Sequence, residues 1–284
     1  MCTIKLTIII PCYNRHDKLK RSVRSVLRQN INCQFELLII DDGSFPPIVL
    51  EPDFTETKNI KVLRHTERRG AAAARNTGVR YAKGKYFAFL DSDDIWLEGK
   101  INAQLREIEQ HSDELIISGT GWFRTSAGRD TMTAVVPKQG VLQNDFYAGC
   151  WFAPGSTILL HRNTFFSVGY FDQQLSKLED YDWFCRFASL GGKLVILNIH
   201  AAVIERGHLP NVESINTSIS ILVRKAFDSG DVNKIRLSLS YLWMEKASSY
   251  FKNGCYIPAI KWACLSWLFV PRFSIQLQKW WKFG

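Results

Sequence analysis

Tyr86-Phe87-Ala88-Phe89-Leu90-Asp91-Ser92-Asp93-Asp94 sets five apolar residues directly against three carboxylates in four positions. The apolar, largely aromatic run reads as a strand buried on both faces, as in a parallel sheet. The acids arrive where that strand must leave the core, and in open α/β sheets the carboxyl end of a strand is where ligands bind. Carboxylates this close repel one another unless water screens them or a cation binds them. Asp91 and Asp93, two residues apart, suit one Mg2+ or Mn2+, ions that prefer oxygen ligands and commonly bridge phosphates. A solvated acidic turn, capping a helix that begins near Trp96, is the other reading of the same residues.

Outward from this strand, the chain repeats the pattern. Ile4 to Ile10 reads as a first strand, stopped by Pro11 and followed by Cys12-Tyr13-Asn14. Tyr13 suits stacking against a base, or equally a turn with Asn14. His16 to Leu27 places Leu19, Val23, Val26 and Leu27 at helical spacing. Phe35 to Ile40 is a second buried strand, and it too ends in acids, Asp41-Asp42-Gly43-Ser44. Two strands of one sheet that both end in aspartates are a more specific signal than either alone. After a proline-broken loop, Asn59 to Leu63 reads as a third strand. Gly70 to Gly78 then opens a small-residue helix from which Arg75 projects a fixed cation, for a ligand or merely for the surface. The β-α-β-loop-β-α-β order predicts a parallel α/β domain. Neither GxGxxG nor GxxxxGK[ST] is present, so dinucleotide and P-loop readings lack their fingerprints.

Beyond Trp96 the expected elements are a helix to Gln110, a strand over Glu114–Ser118 and a strand from Gly155 to Leu160. A strand at Thr133–Val136, a short helix over Arg162–Val168 and two strands, Lys193–Leu197 and Ala201–Ile204, complete the set. The aromatic and small residues from Phe146 to Pro154 line a pocket or fill a core. Between the last elements stands Leu178-Glu179-Asp180-Tyr181-Asp182-Trp183, at the head of an apolar-periodic helix. On the residues alone, these acids cap that helix and offset its dipole.

Taken together, Pro11-Cys12-Tyr13-Asn14, Asp41-Asp42-Gly43-Ser44, Gly70…Ala74-Arg75-Asn76…Gly78 and Leu90-Asp91-Ser92-Asp93-Asp94 resemble the motifs of the family 2 glycosyltransferases. The resemblance covers about residues 4–208, with the motifs in the right order and spacing. It implies a GT-A fold, a Rossmann-like, mostly parallel sheet flanked by helices, and an inverting enzyme that uses nucleotide-diphospho-sugars with Mn2+ or Mg2+. Pro11, Tyr13, Asn14, Asp41 and Asp42 would hold the nucleoside, and Arg75 would lie against the base or diphosphate. Asp91 and Asp93 would be the DxD pair around Ser92, one touching ribose and the other the metal. The Glu-Asp stretch resembles the family's catalytic segment, which makes Asp180 the base and Glu179 an orienting neighbour, with Asp182 structural. Burial beside Trp183 would raise Asp180 toward a useful basicity. Glu205-Arg206-Gly207-His208 resembles the segment that closes over the diphosphate, with His208 an extra metal ligand, a donor to phosphate or an ordinary surface histidine.

A chain of 284 residues with 46% hydrophobic and 22% charged residues is globular rather than disordered. Residues 1–14 lack the basic and long apolar regions of a signal peptide, and seven irregularly spaced cysteines suit reduced thiols in the cytoplasm. The net charge of +9 is concentrated from Val232 onward, where eight Lys/Arg stand against Glu245 alone. The same stretch holds five of the nine tryptophans, a composition suited to an anionic membrane surface. No nucleic-acid motif accompanies it. The expected organisation is a catalytic domain over residues 1–211 and a basic, Trp-rich helical region over 212–284. That region's helices are expected at Ser214–Phe227, Val232–Phe251, Tyr256–Phe269 and Phe273–Trp281, too short in apolar length to span a bilayer. The expected partners are a nucleotide-sugar donor and a glycan or lipid-linked acceptor. A catalytically silent nucleotide-sugar-binding protein, tethered to membrane or partners, is the reading from another class.

Overall fold

The computed structural model describes residues 4–51, 54, 59–111, 115–126, 129–137, 143–205 and 211–270. His208 and the helix expected at Phe273–Trp281 lie outside the described residues. The chain divides into two compact units. One comprises Met1–Val141, Phe152–Gln173 and Leu190–Arg206, the other Leu142–Trp151, Gln174–Ser189 and Gly207–Gly284.

The first unit is a single mixed sheet of nine strands. These are β1 (Leu6–Cys12), β2 (Phe35–Asp41), β3 (Ile60–Arg64), β4 (Tyr86–Phe89), β5 (Ile95–Trp96), β6 (Ile116–Ser126), β7 (Arg129–Val135), β8 (Leu159–His161) and β9 (Lys193–Glu205). Their order is β3-β2-β1-β4-β8-β6-β9-β5, with β7 paired to β6. β3, β2, β1 and β4 run parallel, whereas β8 is antiparallel to both β4 and β6. Helices α1 (His16–Leu27), α2 (Ala71–Tyr81), α3 (Lys100–Ile108), α5 (Pro154–Thr157) and α6 (Arg162–Val168) accompany it.

Strand alternation decides which helix covers which face. Ile8, Ile10, Leu37, Ile39, Tyr86 and Ala88 share a core with Leu19, Val23 and Val26 of α1 and Ile101 and Leu105 of α3. The opposite face meets α2 and α6. A Cβ on Gly78 would collide with the Ile9 side chain, and Phe87 and Phe89 pack their rings against Phe165.

The structure departs from the sequence expectations where pairing is non-local. Trp96 starts no helix: it pairs with Ala202 as part of β5, and α3 begins only after Gly99, whose φ of 80° breaks the chain direction. Pro154–Thr157 is one helical turn, and the strand expected from Gly155 starts at Leu159. The two strands expected at 193–204 are one long strand whose register against β6 shifts near Gly121. β1 runs through Pro11, which is opposite Ile40 in the ladder.

In the second unit, α7 (Glu179–Ser189), α8 (Val212–Asp228) and α9 (Val232–Lys252) pack around Leu175, Tyr181, Ile215, Ile219, Leu222, Tyr241 and Leu242, while α4 (Gln143–Tyr147) rests on α7 and α9 and α10 (Tyr256–Phe269) on α9. Asn211 and Asp231 cap α8 and α9 through side-chain oxygens that accept from Ser214 N and from Asn233 and Lys234 N. Phe146 stacks on Phe184 at 5.8 Å, so this end of the 146–154 aromatic run is core.

Gly84 leads into β4 where the backbone presses on β1. A Cβ there would sit 2.7 Å from Leu6 C and closer still to Thr7 N. Gly84→Ala is expected to destabilise the chain by about 1–3 kcal/mol, the range for overpacked sites. A urea midpoint equal to that of the parent chain would refute this close approach.

Candidate functional site

The chain proceeds from β1 outward to β2 and β3, then returns to place β4 on the other side of β1. Such a reversal opens a crevice beyond the carboxyl ends of the strands. Three segments meet there: residues 13–15 after β1, 42–48 after β2 and 91–94 after β4. Backbone and side-chain bonds tie the first two together. Asp42 N donates to Cys12 O at 2.8 Å, Asn14 N to Ser44 Oγ at 2.9 Å, and Phe45 N to Asn14 Oδ1 at 2.8 Å. Asn14 has φ of 51°, a left-handed conformation that Asn tolerates better than most residues. Beside it the Tyr13 ring is 36% exposed, with the Arg68 guanidinium 4.5 Å from its centre. An aromatic face paired with a cation is a suitable wall for a flat, electron-rich ligand.

Asp41 and Asp42 are neighbours with different surroundings. Asp41 is fully buried: Oδ1 accepts from Ser44 N, and Oδ2 accepts from Ile48 N and from Arg64 Nη1 at 2.5 Å. Burial pushes its carboxyl up, but the bonds from Ser44, Ile48 and Arg64 outweigh that and hold it below the usual range. Asp42 accepts from Arg69 N and Gly70 N, both at 2.8 Å, and its Oδ1 lies 2.8 Å from His65 Nδ1. His65 Nε2 is in turn 2.9 Å from Thr77 Oγ1, which accepts from Arg80 Nη2. With Thr77's own proton directed to Nε2, the ring carries its hydrogen on Nδ1 and donates it to Asp42. A carboxylate offers about four acceptor positions, so Asp42 retains one. Neither Arg64 nor His65 emerged from the motif reading, yet their position held a clue. A basic pair at the carboxyl end of β3 occupies the same topological place as the acids that end β2 and β4.

After β4, the three acids are held apart by different partners. Asp91 Oδ1 accepts from Arg75 Nη2 at 2.7 Å, and Asp93 Oδ2 lies 2.9 Å from Arg15 Nη1. Asp94 accepts from Ser156 Oγ at 2.5 Å and from Glu205 N at 3.1 Å, while Ser156 Oγ itself accepts from Asp91 N. Arg75 is buried, lies 5.9 Å from the Phe171 ring centre, and is carried on α2 beside Asn76, which pairs twice with the Phe171 backbone. A Cβ on Gly155 would fall 2.9 Å from Asp91 Cγ, so a larger residue there would have to displace that carboxylate. Ser92 is buried beside them.

The electrostatics of this turn favour added positive charge. Burial and then the charge of Asp91 push Asp94 up to about 8. Burial also raises Asp93, against the pull of Arg15. Arg75 faces Asp91 while Arg15 and Lys18 act on Asp93, and two carboxylates this close would suit a divalent cation between Asp91 and Asp93. Among the described residues, no group of three or more His, Cys, Asp or Glu is arranged to enclose a metal by protein ligands alone.

In the second unit, Glu179, Asp180 and Asp182 form the first turn of α7, where a helix dipole favours negative charge. Leu178, with φ of 62°, turns the chain into the helix. Glu179 and Asp180 are half-buried, and Asp180 Oδ1 accepts from Tyr181 N at 2.8 Å. Asp182 is buried and neutralised by Arg186 at 3.0 Å and Lys225 at 2.7 Å, an internal ion-pair network.

Because Asp41 ionises more readily folded than unfolded, its contribution is present above the unfolded carboxylate value near 4. That contribution disappears as pH falls through the lower, folded value. Asp41→Asn is therefore expected to lower stability at pH 7 by about 1–3 kcal/mol. The gap should narrow below about pH 4. Thermal unfolding across that range checks it, and a gap that persists unchanged in acid would contradict the assignment.

Residues 7–169 match the family model described as "Glycosyl transferase family 2". A stretch of 103 residues is 43% identical to the Escherichia coli UDP-Glc:alpha-D-GlcNAc-diphosphoundecaprenol beta-1,3-glucosyltransferase WfgD, covering 35% of this chain and 39% of that protein. An uncharacterized glycosyltransferase of Rickettsia conorii is 43% identical over 121 residues, 42% of this chain and 19% of its own length. The matched stretch thus spans well under two thirds of either relative. Among solved structures, S. aureus TarS 1–349 in complex with UDP-GlcNAc aligns with a TM-score of 0.64 at 16% identity, over 93% of this chain and 81% of that one. This likeness establishes the GT-A type of fold, a mixed sheet flanked by helices with a helical C-terminal region. The family match extends over more than half of the chain, which belongs to glycosyl transferase family 2.

Proposed function

We propose that the chain transfers a sugar, with inversion, from a nucleotide-diphospho-sugar to a hydroxyl of a glycan or lipid-linked acceptor in surface polysaccharide synthesis. A UDP-sugar is the favoured donor, with Mn2+ or Mg2+ as cofactor. The observation that carries the reading is the turn Asp91–Asp94 at the switch point of the sheet, facing Arg75 and Arg15. WfgD, a UDP-Glc enzyme acting on alpha-D-GlcNAc-diphosphoundecaprenol, and TarS, bound to UDP-GlcNAc, support the donor and acceptor classes.

In this reading Pro11, Tyr13 and Asn14 form the nucleoside wall. Asp42, oriented by His65, uses its remaining acceptor position for an N–H of the base, with Asp41 fixing the loop beneath. Asp91 and Ser92 border the ribose, and Asp93 with Asp91 holds the cation, His208 being a further candidate ligand. When bound there, a divalent ion supplies positive charge to the departing nucleoside diphosphate. Arg75 offsets that charge from the protein side, in a water-poor setting where it counts most. Asp180 accepts the acceptor's hydroxyl proton as the oxygen bonds to the anomeric carbon and the bond to the diphosphate breaks. Glu179 orients the acceptor. One displacement inverts the anomeric configuration. Residues 1–211 perform the chemistry, and 212–284 form a basic appendage that keeps the enzyme at the cytoplasmic face of the membrane.

With UDP-glucose and a polyprenyl-diphosphate-linked acceptor, Asp180→Asn is expected to bind donor normally and transfer about 10²–10⁴-fold more slowly. Near-normal turnover would remove Asp180 as the base. His65→Ala should raise the donor KM about tenfold or more, the effect of losing a bond to a charged group, with little change in kcat. An unchanged KM would show that Asp42 needs no such support.

A further inference from the structure

Helix α10 packs on α9 through small residues. Ala259 and Ser266 are buried, and Ser266 Oγ donates to Ser240 O at 2.6 Å. At about 100° of turn per residue, positions 257, 260, 264, 267 and 268 fall on the opposite side. Ile257 is 84% exposed, Ile260 64%, Leu268 65% and Trp267 48%, and Cys264 is exposed among them. A large apolar stripe left in water on one helix marks a contact surface rather than scattered surface residues.

We propose that this stripe lies in the headgroup region of an anionic lipid membrane. Charge selects that occupant. The only ionisable side chains on α10 are Tyr256, Lys261 and Cys264, so no acid opposes anionic headgroups there. Lys246 Nζ stands 3.8 Å from the Trp262 ring centre, with Lys261 at 5.9 Å and Trp243 alongside at 6.1 Å. That cluster lies at the face where α10 meets α9; on the stripe itself Trp267 is half-exposed and Lys261 borders it, a tryptophan and a lysine suited to a headgroup layer. With Lys261 and no acid on this helix, two copies of the face carry like charge while anionic lipid attracts both. Fourteen residues reach only about 21 Å, less than a hydrocarbon core, and among the described residues no helix is long and apolar enough to cross a membrane. The helix therefore lies along the surface. The inference deepens the reading of a membrane-borne acceptor and rests on it for its purpose, since a docked enzyme meets a lipid-linked substrate in two dimensions.

The test is co-sedimentation of the intact chain with vesicles of phosphatidylcholine, with and without phosphatidylglycerol, alongside thermal-shift measurement of UDP binding. The parent chain is expected to pellet with the anionic vesicles, and the triple variant Ile257→Asn/Ile260→Asn/Leu268→Asn about tenfold or more weakly, with UDP binding unchanged. In the parent chain, anionic vesicles should slow maleimide modification of Cys264 far more than that of Cys255, which sits on the other side of the helix start. Failure of the parent chain to pellet, equal pelleting of the triple variant, or no protection of Cys264 would overturn the proposal. A parent dimer that the triple variant abolishes, without vesicle binding, would assign the stripe to a second copy instead. UDP binding is read in the same samples, so loss of lipid binding with UDP binding intact overturns this inference alone and leaves the donor reading standing.

Discussion

Three carboxylates crowded into one turn at the end of β4 are the constraint around which the first unit is arranged. Burial, and then the charges of Asp91 and Asp93, hold Asp94 back from ionising, and the fold surrounds it with donors. Ser156 reaches it from the turn before β8, Glu205 N from the end of β9, and Ser22 of α1 binds its carbonyl. These contacts come from 62, 111 and 72 residues away in the chain, so the acidic turn fastens distant segments to the end of the strand. Arg15 and Arg75 then face the two outer acids, leaving a site that is polarised but short of positive charge.

The turn after β2 solves a related problem differently. Asp41 is consumed internally by two backbone amides and Arg64, which shapes the 42–48 loop. Asp42, one residue later, is aimed by two backbone amides and His65 and keeps an acceptor position. Adjacent identical residues thus divide into a scaffold and a presenting group, because strand alternation sends them to opposite sides.

Much of this was legible locally. The buried strands β1, β2 and β4 show as apolar runs, α1 shows in the helical spacing of Leu19, Val23, Val26 and Leu27, Gly169 marks the end of α6, and Gly254 and Pro271 bracket α10. The acids stood out because their spacing at strand ends repeats. Trp96 was misread because its strand identity comes from pairing with Ala202, about a hundred residues later, a contact no local window contains. Gly155 and Ser156 looked like strand residues, yet Gly155 is there to admit the Asp91 carboxylate and Ser156 to bind Asp94. His65 and Arg15 carry no motif of their own, and only the folded register brings them to Asp42 and Asp93.

The most direct measurement of the central claim is calorimetric titration of UDP into the chain with Mn2+ and again with EDTA. The account predicts one nucleotide per chain, bound at least about tenfold more tightly with Mn2+, and loss of that difference in Asp93→Ala. Equal affinity in EDTA, or a metal effect that survives in Asp93→Ala, would contradict the assignment of this turn as the site that joins cation to nucleotide.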